Sequence, residues 1–175
     1  MENNIENSQN FKNAEEQKHI AEIYSDKAIN LLNICIGIFI FNAITYIFGI
    51  LTQNAFDFGF VFETISCLCI LYAKSTIKEN NLQSGKKIII FANLPLAFLI
   101  VYDFINLLLN LDEILAEIVR YYTTFDQFFY YLSPYLVDVT LIALIVLFYQ
   151  SYIALCKADG SIKSSNYVDT FYDKL

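Results

Sequence analysis

The run Ile88–Leu111 constrains this chain more than any other feature. It holds 24 residues, and Asp103 is the only charged one among them. At about 1.5 Å of rise per residue, a helix of that length crosses the roughly 30 Å hydrocarbon layer of a bilayer. The expectation is a membrane-spanning helix with the rest of the chain arranged beside it.

Composition supports the same class. Of the 175 residues, 57% are hydrophobic and 17% charged, and the mean hydropathy is +0.46. Long uncharged runs in so short a chain favour a membrane protein over a soluble core. The formal net charge of -7 argues against nucleic acid, and against anionic lipid as a main partner, because both are recognised through clustered Lys and Arg.

Taken in order, residues 1–27 read as a polar, mostly acidic cytoplasmic segment. The first ten residues, rich in Asn and Glu, are expected to be disordered. Asn13 followed by Glu16 resembles a capping box, and Ile20, Ile23, Tyr24, Ala28 and Leu31 then recur at helical spacing, so a helix should lead into the first span. No cleaved signal peptide is expected, since the polar lead is acidic and the apolar run exceeds an h-region. The membrane domain covers 28–156, with spans at about 28–51, 58–73, 88–110 and 134–156. A tight return around Thr52–Asp57 makes spans one and two antiparallel neighbours. Lys74–Lys87 reads as a polar loop, with Asn80, Asn81 and Gly85 as loop residues. Pro95 is expected to kink span three.

Leu111–Leu132 differs from the spans. Leu111, Ile114, Leu115, Ile118 and Tyr122 form one helical stripe, with Asp112, Glu113 and Glu117 off it, and seven aromatic residues crowd into Tyr121–Tyr131. The pattern predicts an amphipathic helix at the outer membrane surface. Ser133-Pro134 supplies a helix start for span four. The segment 157–175 is a polar cytoplasmic tail. The fold class expected is therefore an all-α, integral membrane four-helix bundle with an extra interfacial helix between spans three and four.

Orientation follows from the basic residues. Lys12, Lys18, Lys27, Lys74, Lys78, Lys86, Lys87, Lys157, Lys163 and Lys174 fall on one side and Arg120 alone on the other. That asymmetry places both termini in the cytoplasm.

Motifs for catalysis are missing. His19 has no partner at metal spacing and reads as a solvated helix residue. Cys35, Cys67, Cys69 and Cys156 lie in or near spans and read as core fillers. With no phosphate loop, catalytic triad or metal helix, the chain is expected to be neither an enzyme nor a cofactor carrier. One constellation stands out. Glu63, Asp103 and Asp138 put one acid into each of spans two, three and four, at similar depth below the outer boundary. Asn106 follows Asp103 at i+3, and Asn42 and Thr45 are spaced likewise in span one. Two readings compete. These six residues form an outward-facing pocket for a cation or proton, or the acids hydrogen-bond to Asn and Thr and hold helices together.

Three functions fit: a non-enzymatic accessory or regulatory subunit, a channel or transport component using the acidic pocket, and self-protection against a membrane-acting toxin. In size, span number and topology the chain resembles the immunity proteins of pore-forming colicins, a likeness of architecture alone. That resemblance implies defence against a membrane-acting toxin in a bacterial cytoplasmic membrane. The partners expected are the lipid bilayer, another membrane or cytoplasmic protein, and a second copy of the chain.

Overall fold

The structure is a computed structural model that describes residues 2–53, 58–110 and 125–162, with side chains described at Glu15 and over 17–47, 59–106, 108–110 and 139–162. Four α-helices make up these residues: α1 (Glu2–Gln53), α2 (Phe58–Lys78), α3 (Leu82–Leu109) and α4 (Phe125–Ala158). Each contains a stretch long and apolar enough to cross a membrane, at Gln17–Ile47, Gly59–Lys78, Leu82–Asn106 and Val139–Ala158. Only 22% of the apolar window of α3 and 39% of that of α4 is buried inside the protein. Phe41, Phe91, Phe98 and Tyr149 are among the large side chains left on the outside. Such an exterior suits hydrocarbon rather than water.

The helices pack as a closed ring, α1 against α2, α2 against α3, α3 against α4, and α4 back against α1. One spacing accounts for it. The inward residues of α1 are Ala28, Leu32, Cys35, Phe39, Asn42 and Tyr46, at alternating steps of four and three. Glu63, Ser66, Ile70, Ala73 and Ile77 do the same on α2, as do Leu141, Leu144, Phe148, Ser151 and Leu155 on α4. On α3 the steps run through Gly85, Ile89, Ala92, Leu96 and Leu99. A repeat of 3.5 residues keeps each seam facing its neighbours when helices cross at about 20° in a left-handed bundle. Phe39 and Phe148 meet across the centre with ring centroids 6.2 Å apart.

Several local expectations change. α1 is helical from Glu2, not from Asn13. No Gly or Pro precedes Gly37 to interrupt it, and Glu2 and Glu6 favour the positive end of the helix dipole. The expected loop Lys74–Lys87 shrinks to a turn at Glu79–Asn81. Asn80 adopts a left-handed φ of 60°, which Asn tolerates better than most residues. Asn81 caps α3, its side-chain oxygen accepting from the Ser84 amide at 3.2 Å. Ser133 and Pro134 do not start a helix but lie within α4, which begins at Phe125. A proline inside a helix leaves one carbonyl without its ladder donor, a defect that membrane helices tolerate when other groups compensate. Of the expected interfacial helix, residues 111–124 lie outside the described residues, and Phe125–Leu132 belong to α4. Much of the expected outer turn, 54–57, and the tail from 163 also lie outside them.

Gly85 is therefore a helix residue, not a loop residue. A Cβ built there would stand 2.7 Å from Ile77 Cγ1 on α2. That atom sits near the stiff, branched root of its side chain and gives way poorly. Replacing Gly85 by Val should destabilise the bundle by about 1–3 kcal/mol through overpacking. Combining it with Ile77→Ala should recover part of the loss, as read by unfolding in detergent micelles.

At the same end Lys86 on α3 forms an ion pair with Asp159, just beyond α4. Desolvation pushes the Asp159 carboxyl upward, but hydrogen bonds from Lys86 and Ser161 outweigh it and hold it below the usual aspartate value. The group is thus depressed in the folded state. Its contribution is complete above the unfolded value near 3.8 and is lost as pH falls through the lower folded value. For a pair this close to solvent the effect is about 1 kcal/mol or less. An acid titration of stability should show that loss in wild type and lack it in Asp159→Asn.

Candidate functional site

The same seam that carries the apolar core carries a polar cluster near the opposite end. Asn42 and Tyr46 succeed Phe39 on α1, and Glu63 follows Gly59 on the buried face of α2. Asn42 is 1% exposed, Glu63 3% and Tyr46 9%. The Asn42 amide nitrogen donates to Glu63 Oε2 at 2.9 Å and to Thr140 Oγ1 at 2.9 Å. The Thr140 hydroxyl lies 3.1 Å from Asn42 Oδ1 and can return a bond. Tyr46 donates its phenolic hydrogen to Glu63 Oε1 at 3.0 Å, and its ring packs edge-on against Phe60 at 5.9 Å. One carboxyl group thus joins α1 and α2 directly and α4 through Asn42. One turn along α2, Ser66 donates to the Ala92 carbonyl of α3 at 2.9 Å. Together these bonds tie all four helices.

Chemically, each Glu63 oxygen receives one neutral donor, an arrangement that suits an acceptor-only carboxylate. Tyr46 can also accept a bond, so the same geometry accommodates a protonated carboxyl. Among the described residues no group of three or more His, Cys, Asp or Glu side chains is placed to hold a metal ion.

Of the other candidate residues, Thr45, Asp103 and Asn106 are described and the Asp138 side chain is not. Thr45 turns its hydroxyl back to the Phe41 carbonyl of its own helix at 3.1 Å. Asp103 and Asn106 are half-buried on α3. The pairing of Ser66 with Ala92 and of Ile77 with Gly85 sets the antiparallel register of α2 and α3. By that register Asp103 lies about 6–12 Å further from the α2–α3 turn along the bundle axis than Glu63. The Asp138 side chain lies outside the described residues. His19 is exposed on α1, and Cys35, Cys67, Cys69 and Cys156 are free thiols.

Sequence reasoning missed Tyr46 and Thr140. The signal for Tyr46 was present: steps of four and three from Ala28 lead from Asn42 to Tyr46, whereas a step of three lands on Thr45. Thr140 has no such signal, being next to a seam residue rather than on one.

No protein-family model, no curated protein and no solved structure matches this chain. Function therefore rests on the chain's own geometry.

If the cluster holds the bundle together, removing its acceptor should cost more than reshaping it. Glu63→Ala leaves the donors of Asn42 and Tyr46 facing a void and should destabilise by about 2–4 kcal/mol. Glu63→Gln keeps one acceptor and should cost about 1 kcal/mol, near the average for hydrogen bonds between membrane helices. Unfolding of the two variants in detergent, with an Asn42/Glu63 double-mutant cycle, measures the coupling.

Proposed function

We propose that this chain is a non-enzymatic membrane protein that acts as an accessory or regulatory subunit, presenting the amino-terminal part of α1 to a protein partner on the cytoplasmic side. The observation that carries the reading is the reach of α1. Lys157, near the end of α4, sits over the Tyr24 ring at 5.1 Å, so Tyr24 marks the level at which α4 stops. α1 continues for 22 more residues to Glu2, about 33 Å of helix beyond that level.

Among the side chains described on this extension, apolar and acidic groups stand beside the exposed Lys18 and His19. Ile20 and Ile23 are exposed, Ile23 by 51%, and Glu15, Glu22 and Asp26 are exposed around them. Over residues 1–27 six acids outnumber three lysines. An apolar stripe bordered by acids suits a basic amphipathic surface on the partner. The lysine asymmetry supports placing both termini in the cytoplasm. The transport reading draws on Glu63, whose two oxygens already accept bonds from α1, so the carboxyl group serves the bundle first.

A photo-crosslinking residue at Gln17, about one helical turn from Ile20, should capture a discrete partner in native membranes, and one at lipid-facing Leu68 should not. Ile20→Asp with Ile23→Asp should reduce the capture about tenfold or more, the scale expected for losing central apolar anchors. Equal capture by the double variant would rule out α1 as the contact.

A further inference from the structure

The net charge of -7 conceals a concentration of the opposite sign. Six lysines from all four helices gather at the end of the bundle marked by the α2–α3 turn: Lys27, Lys74, Lys78, Lys86, Lys87 and Lys157. Glu22, Asp26, Glu79 and Asp159 are acids at that level.

These lysines are not equivalent. Lys86 is committed to Asp159, and Lys157 covers the Tyr24 ring. Lys74 donates to the neutral Asn33 side-chain oxygen at 2.6 Å, which engages one of its protons and leaves its charge unmatched. Lys78 and Lys87 are exposed, and among the described residues neither forms a salt bridge. The uncompensated charge therefore lies on α2 and α3, within about two helical turns of Asn80 and Asn81.

We propose that Lys74, Lys78 and Lys87 form a binding collar for the phosphate headgroups of anionic membrane lipids. The inference rests on the membrane-embedded reading. Directly below these residues the exterior is apolar, with Leu71, Tyr72, Ile90, Phe91 and Leu94 exposed. In a bilayer that surface takes acyl chains and sets the ammonium groups at headgroup level, where long lysine stems carry the charge to the interface. A partner with an anionic head and two apolar tails matches both parts. A soluble phosphate matches only one.

The test uses the full chain reconstituted into vesicles of phosphatidylcholine and phosphatidylglycerol at about three to one, then extracted in mild detergent. The lipids that remain bound are analysed by mass. Each lysine at an anionic surface is worth about a fivefold preference. Wild type should retain phosphatidylglycerol at least about threefold above its bulk share, with the enrichment fading in high salt. The variant with Lys74→Gln, Lys78→Gln and Lys87→Gln should retain lipids in the bulk ratio, and the matching Arg variant should keep the enrichment. Inorganic phosphate at millimolar concentration should not displace the lipid. Bulk-ratio retention by wild type, enrichment surviving in the Gln variant, or displacement by free phosphate would each overturn the collar. Flotation with pure phosphatidylcholine vesicles is the separate check on membrane embedding. A chain that fails to float refutes that reading, whereas one that floats without lipid preference refutes the collar alone.

Discussion

Hydrocarbon offers helices no hydrophobic reason to associate, because lipid tails are as apolar as Leu. Within a bilayer, what holds such a bundle would come from fit and from the few polar groups turned inward. The 3.5-residue seam provides the first. It places small residues, Ala28, Ala73, Gly85 and Ala92, at buried positions between the helices. It also brings Phe39 and Phe148 together in the middle. The second comes from the same positions, because Asn42, Tyr46, Glu63, Ser66 and Ser151 occupy seam sites among the apolar ones. Packing sets the spacing of the helices, and the hydrogen bonds set their register. A slip of one residue would separate Glu63 from Asn42 and Tyr46.

The two ends of the bundle are held by different chemistry. Near the Glu63 end, neutral donors meet a carboxyl group out of reach of solvent, and the bonds need no countercharge from water. At the lysine end, the contacts lie near the surface and are ionic or cation–π in kind. A bilayer around the apolar helices would account for the division. Exposed pairs such as Lys86 and Asp159 gain little once screened, whereas a buried group left unbonded would be costly. Charges accordingly gather where water or headgroups can reach them.

How much of this was legible from residues alone follows the strength of each signal. The spans were legible because twenty apolar residues in sequence have few other uses. The seam was not, because a span that is apolar all round shows no contrast between its inner and outer faces. Ile34 and Cys35 look alike as span residues, yet one is 53% exposed and the other fully buried. For the same reason Thr45 was as plausible as Tyr46, and only phase along the whole helix separates them. Gly85 read as a loop residue because glycine usually marks turns. Its actual role, clearance for Ile77, depends on α2 and α3 pairing face to face across a three-residue turn. The start of α4 was misplaced because Ser-Pro is a strong local signal and helix continuity through a proline depends on surroundings the local sequence does not contain. Of the candidate acids, Glu63 was identifiable as a charge within a short span, while its partners depended on the register of α1 and α4.

The unbroken course of α1 has a mechanical consequence. Tyr24, where α4 ends, stands about 33 Å from one end of the rod and about 27 Å from Asn42. Tilting a rigid helix by about 10° about that point would move its tip by about 6 Å and Asn42 by about 5 Å. A hydrogen bond of 2.9 Å to Glu63 does not survive such a displacement. The polar cluster thus acts as an anchor that resists leverage on the protruding arm, and load on the arm is felt first at Asn42 and Tyr46.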